Sequence, residues 1–218
     1  MISYRIRRLP MDGDPARRYH LFDRAEGLLL VADQGSPWLP PDLPPQVRFS
    51  RPDGERLATM DLPRPDERRA ERKHNYAIIY EHAVYALITA LDLSGGTAAL
   101  NAPPPAGPPS FDRLVIEVEG HRWLGLRWTE EGEGGPLLVI YDAAAADLPA
   151  AVDPEAADLP EPIGLLEVGA GDYDFDLTLP AGRLAQAPLL GLALAYLVDG
   201  ELLVAEGAAY SRAANRPG

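Results

Sequence analysis

No cysteine occurs among the 218 residues, which removes disulfide frameworks, thiolate metal sites and cysteine nucleophiles together. Positive charge is scarce as well. Lysine and arginine number 20 against 33 acidic residues, a formal charge of -13, and Lys73 is the only lysine. Repulsion from another polyanion argues against nucleic acid or an anionic membrane as a partner of the whole chain, so an anion would have to be met by a local basic patch at short range.

Long apolar runs are missing too. The longest, Leu184 to Val198, would span about 22 Å as a helix against a hydrocarbon slab of about 30 Å, so no transmembrane segment is expected. Met1 to Pro10 carries Arg5, Arg7 and Arg8 with no apolar run after them and matches neither a secretory signal nor a transit peptide. A cytoplasmic location is the expectation. Familiar catalytic patterns are absent: the four histidines, His20, His74, His82 and His121, show no HxH or HxxxH spacing, and neither a GxSxG elbow nor a GxxxxGK[ST] loop occurs. No catalytic residue, metal site or cofactor is therefore assigned.

What the chain does have is period-two alternation in short runs, the mark of half-buried strands. Ile2, Tyr4 and Ile6 alternate with Ser3, Arg5 and Arg7, and Tyr173, Phe175, Leu177 and Leu179 alternate with Asp172, Asp174, Asp176 and Thr178. Glu26-Gly27, Pro52-Asp53-Gly54, Glu119-Gly120, Gly134-Gly135 and Gly169-Ala170-Gly171 supply chain reversals between the runs. Strands are predicted over 2–8, 18–23, 27–32, 45–50, 55–62, 75–80, 84–90, 113–119, 122–128, 136–142, 163–168 and 172–179. The proline-rich stretches 36–45, 95–110 and 143–162 read as loops, because proline withholds a ladder donor.

Leu184 to Val198 breaks the alternation. It is apolar all round, as a helix buried in protein is, with Pro188 tolerable only near its first turn and Gly191 allowing a strand to approach closely. A helix is about 10 to 12 Å across with its side chains, more than an eight-stranded barrel can enclose, and about twelve strands supply the extra girth. The predicted fold is thus mostly β: a single domain over 1–218, a closed antiparallel barrel of about twelve strands around a C-terminal hydrophobic helix.

The order of elements resembles the tubby C-terminal-like superfamily, in its LURP-one-related and phospholipid scramblase branch. The matching stretches are Tyr19-His20-Leu21-Phe22-Asp23 with Glu26-Gly27, Val47-Arg48-Phe49 with Asp53-Gly54-Glu55, Asn75-Tyr76-Ala77-Ile78-Ile79, and Asp172 to Leu179 followed by Leu189 to Asp199. The resemblance implies a twelve-stranded barrel around a central helix. It also implies membership of a group linked to phosphoinositide binding, scramblase activity or plant defence, with many bacterial members. The chain departs from that group in lacking the acylated cysteine cluster of many scramblases, in lacking a calcium-loop pattern, and in being acidic.

Arg64, Arg68, Arg69, Arg72 and Lys73 form the densest basic patch, between the fifth and sixth predicted strands. Arginine forks bind phosphate bidentately, so the patch is a candidate site for an anionic lipid head group or a small phosphorylated ligand. Asp66, Glu67 and Glu71 lie among these residues, and a solvated loop is the competing reading. Asp172, Asp174 and Asp176 stand about 7 Å apart along one strand face and cannot converge on one ion unaided, so they read as the wet side of an outer strand. Trp128 continues the alternation of Leu124 and Leu126 and is expected in the core, with Trp123 on the opposite face beside Arg127 as a partly covered surface residue or an interface anchor. The functional expectation is a noncatalytic binding or scaffold protein, with a lipid, a phosphorylated small molecule or a protein as partner. The alternatives are a hydrolase-type enzyme using loop carboxylates and a histidine, and a purely structural interaction module.

Overall fold

The computed structural model describes residues 1–9, 18–34, 46–62, 73–91, 113–127, 136–143, 160–171 and 174–199. Twelve strands are present: β1 (Ile2–Leu9), β2 (Arg18–Phe22), β3 (Leu28–Gln34), β4 (Gln46–Ser50), β5 (Arg56–Asp61), β6 (Lys73–Tyr80), β7 (Ala83–Leu91), β8 (Arg113–Val118), β9 (His121–Arg127), β10 (Pro136–Asp142), β11 (Gly164–Val168) and β12 (Asp174–Leu179). One helix, α1, covers 187–199. Each strand pairs antiparallel with its neighbours in sequence, and β12 returns to β1 to close the barrel. Each predicted strand corresponds to one of these, and Pro188 falls in the first turn of α1, where its missing N–H costs no helical bond.

Alternation explains the wall. Tyr4 and Ile6 of β1, Tyr19 and Leu21 of β2, Val47 and Phe49 of β4, Ile78 of β6, Ile88 of β7 and Leu177 and Leu179 of β12 point inward and are buried. They meet α1, whose Leu189, Leu190, Leu192, Leu194 and Val198 are fully buried as well. Fully burying one such side chain stabilises by about 1.5 to 3 kcal/mol, so the helix supplies a large share of the driving force for barrel formation. Gly191 is where it fits most closely: a Cβ placed there would lie 2.2 Å from Cδ2 of Leu177.

The closing seam carries complementary charge on its outer face. Arg7 lies opposite Asp174 and donates to both carboxylate oxygens, at 2.9 and 3.2 Å. Arg5 lies opposite Asp176 at 3.9 Å and also bonds Glu26 at 2.5 Å. Asp174 and Asp176 are therefore partners of β1 rather than merely a hydrated strand face, and Asp172 lies outside the described residues.

Strand β9 reverses one expectation. Trp123 is fully buried inside the barrel, opposite Ile116, whereas Leu124 and Leu126 face outward and form a second buried cluster with Val139 and Tyr141, flanked by Ala143 and Leu165. Both faces of this strand are apolar, so alternation revealed its period but not which face turns in. Trp123 is thus neither a surface residue nor an interface anchor, and Trp128 lies outside the described residues.

Candidate functional site

Four of the tight reversals gather at one end of the barrel, which the long connection 143–163 between β10 and β11 also joins. At the turn end the chain reverses tightly after β2, β4, β6 and β8. Asp23 accepts the backbone N–H groups of Ala25 and Gly27 at 2.8 Å each, and Asp53 accepts that of Glu55 at 2.9 Å. Glu81 and His82 both have positive φ, as do Glu119 and Gly120, the backbone that two-residue hairpins of this hand require. At the opposite, loop end, the stretches 10–17, 35–45, 63–72, 92–112 and 128–135 join strand to strand, and all of them lie outside the described residues. Ligand-contacting residues concentrate on such connections when a rigid scaffold holds their ends.

The stretch predicted to bind an anion connects β5 to β6. Lys73 is exposed at the start of β6, opposite Leu91. Arg64, Arg68, Arg69 and Arg72 lie outside the described residues. By composition, 63–72 is the only connection at the loop end with net positive charge.

Beneath this end lies a polar network that the sequence did not announce. Asp199, the last residue of α1, is buried and accepts from Arg8 Nη1 at 2.8 and 3.0 Å and from the Tyr19 hydroxyl at 2.5 Å. One turn back, the Tyr196 hydroxyl donates to Gln34 Oε1 at 2.9 Å, and its ring meets that of Tyr19 edge-on at 5.4 Å. A carboxylate at a helix C-terminus opposes the helix dipole, and the guanidinium of Arg8 offsets that cost. The signal available in sequence was Asp199 ending an otherwise apolar run.

At the turn end, a cleft of about 390 Å³ opens between β7 and the β8–β9 hairpin, lined by Val84, Tyr85 and Leu87 and by Glu117, Glu119, His121 and Arg122. The β6–β7 register shifts so that Ile78 lies opposite Ala86 and Ile79 opposite Val84, leaving Tyr85 as the extra residue of a bulge. Bulges re-aim side chains and recur beside functional sites. The Tyr85 ring packs edge-on against Tyr80 at 6.2 Å, and its hydroxyl is buried near the Gln186 backbone at the entrance of α1. Burial, with the Glu119 carboxylate adding to it, holds the Tyr85 phenol well above the usual tyrosine range, against a weaker opposing pull from the Gln186 backbone. Glu119 receives the backbone N–H of Ala185 at 3.2 and 3.0 Å, tying the hairpin to the entrance of α1, and Arg122 approaches Glu117 at 3.8 Å. Of these residues only His121 and the Glu119-Gly120 turn stood out in sequence, because a bulge has no signature in a run of apolar residues.

Among the described residues, no three histidine or acidic side chains are arranged to hold a metal ion, and no helix is long and apolar enough to cross a membrane. No protein-family model, curated protein or solved structure matches the chain, so its function has to be argued from its own residues.

Proposed function

We propose that this protein is a noncatalytic binding protein that takes a phosphate-bearing anion, either a lipid head group or a small phosphorylated molecule, at the loop end of the barrel through Arg64, Arg68, Arg69, Arg72 and Lys73. The observation that carries the reading is the filled lumen. Because α1 occupies the interior with fully buried side chains, a ligand has the ends and the outer wall to bind to, not the centre. The stretch 63–72, with its four arginines, connects β5 to β6, and Lys73 stands exposed at its exit. Five cations against Asp66, Glu67 and Glu71 leave a local surplus able to offset the acidic remainder of the chain at short range. The barrel around a central helix also supports the resemblance to the tubby-like proteins, from which the lipid version of the reading comes. A hydrolase built on Glu119 and His121 has less support, since the Glu119 carboxylate is engaged by Ala185 and Glu117 faces Arg122.

Two measurements test the proposal and separate its two sources of phosphate. Vesicles of phosphatidylcholine with and without a phosphatidylinositol phosphate are sedimented with the protein, and inositol trisphosphate is titrated calorimetrically. Binding in both, abolished by R68A/R69A/R72A/K73A, supports a head-group reader, and binding of the soluble phosphate alone supports a small-molecule ligand. No binding by the unmutated protein in either arm, or binding indifferent to the fourfold variant, overturns it.

A further inference from the structure

The outer wall of the barrel is not uniformly wet. On β9 and β10 the outward side chains Leu124, Leu126, Val139 and Tyr141 are only 9%, 5%, 6% and 5% exposed. They meet across the strand pair, Leu124 opposite Tyr141 and Leu126 opposite Val139. Mutual contact on a sheet face does not bury side chains this far. Ile79 and Leu87, outward on β6 and β7 with Val84 and Ala77 opposite them, stay half-buried. Something therefore lies over the β9–β10 face, yet the described elements are the wall strands and the helix in the lumen, and none passes outside these two strands. Tyr141 gives a second sign of the cover, since burial holds its phenol above the ordinary tyrosine value.

One connection leaves this patch and returns to it. The described side chains that flank the cluster, Ala143 and Leu165, stand just after β10 and just inside β11, at the two ends of the same stretch. Both ends are pinned to the strands of the patch or their edge: the Ala143 N–H donates to the Arg122 carbonyl of β9 at 3.0 Å, and the Ile163 N–H donates to the Ile140 carbonyl of β10 at 2.8 Å. Residues 144–159 lie between them, outside the described residues. Extended, that length of chain reaches about 50 Å, whereas Val139 stands about 13 Å along β10 from Ala143, so a path out across the patch and back is well within reach. Composition suits the place, because 144–152 is apolar apart from Asp147 and carries Leu148 and Val152.

We propose that residues 144–152 pack across the outer face of β9 and β10, with Leu148 and Val152 set against Leu124, Leu126, Val139 and Tyr141, and form a second layer of the wall there. A contiguous apolar face of this kind otherwise marks a site of association with a second copy or another protein. Here the chain occupies the face itself, so the exterior left to partners in the free protein is the two ends and the charged side around β1 and β12.

The absence of cysteine makes the test clean, because one introduced thiol carries the only spin label. On the full chain, a nitroxide attached to V152C is expected to broaden the methyl resonances of Leu124, Leu126 and Val139 and to leave those of Val31, on the outer face of β3, sharp. The same label on A98C, in the connection after β7, or on A208C, near the C-terminus, should leave the patch methyls sharp. Replacing 144–152 by a glycine–serine stretch of equal length should bring the Tyr141 titration closer to the ordinary tyrosine value while the circular dichroism spectrum is unchanged. Broadening from A98C or A208C in place of V152C assigns the cover to another stretch and overturns the proposal. Sharp patch methyls with all three labels also overturn it, and in a chain that sediments as a dimer they assign the cover to a second copy. A Tyr141 titration indifferent to the replacement overturns it as well.

Discussion

Gly191 on the core helix and Leu177 on β12 are in such close register that a single added methyl group at Gly191 would fall 2.2 Å from the leucine Cδ2. Leu177 is fully buried, so its side chain has nowhere to retreat. Gly191→Ala gains about 1 kcal/mol of helix propensity but incurs an overpacking cost of about 1 to 3 kcal/mol, and the net expectation is a lower melting temperature. Combining it with Leu177→Ala should make the pair less destabilised than the two single effects summed, because each relieves the crowding of the other. Simple additivity in thermal melts would show that the contact does not govern the fit.

Asp199 and Arg8 form the pair that seats the far end of the helix. Removing one member of a buried ion pair leaves the other uncompensated, at about 3 to 5 kcal/mol, and the partial exposure of Arg8 places Asp199→Ala near the lower figure. Tyr19→Phe removes a single bond to the same carboxylate and should cost about 1 to 2 kcal/mol. Chemical denaturation compares the two, and a smaller loss for Asp199→Ala than for Tyr19→Phe would contradict the arrangement.

At the seam, Arg7→Asp places like charges opposite each other at Asp174, and the expected result is a lower melting temperature at low salt. The exchanged pair Arg7→Asp with Asp174→Arg restores opposite charge and should recover most of the loss. Since Arg7 is half exposed although Asp174 is mostly covered, the difference should shrink in part as salt rises toward 1 M. An exchanged pair no more stable than the single variant would show that the register does not depend on these charges.

His20, on the outer face of β2, titrates below the ordinary histidine value because burial disfavours its charged form, with Arg18 and Arg7 acting in the same direction and Asp33 opposing them. The unfolded chain then binds a proton more readily than the folded one. The contribution of His20 to stability is present above the unfolded value of about 6.5 and is lost as pH falls below it toward the lower folded value. Melting temperatures between pH 7.5 and 5 should fall less steeply for His20→Gln than for the unmutated protein. Parallel curves would remove His20 from the account.

The fold was legible because its signals are local. Alternation in Phe175, Leu177 and Leu179 and an all-round apolar stretch ending at Val198 each name their element without knowledge of any partner. What was not legible depends on pairing across the chain. Arg5 and Arg7 on one alternating strand complement Asp174 and Asp176 on another, but the match carries meaning only once β1 and β12 are known to be neighbours. Trp123 was misplaced because both faces of β9 are apolar, and only its partner Ile116 identifies the inner one. The Tyr85 cleft depends on a one-residue register shift, which leaves no trace in composition. Of the basic patch, Lys73 alone is among the described residues.

The helix that fills the barrel comes after every strand of its wall, and the Arg7 to Asp174 contact joins positions 167 apart in sequence. A nascent chain leaving the ribosome therefore exposes a growing, grease-lined sheet with no plug until translation has passed Val198. Contacts between such distant positions make for slow folding and prolonged exposure to aggregation. Messages truncated ahead of residue 187 should yield insoluble product, whereas supplying the missing C-terminal peptide during refolding should rescue it.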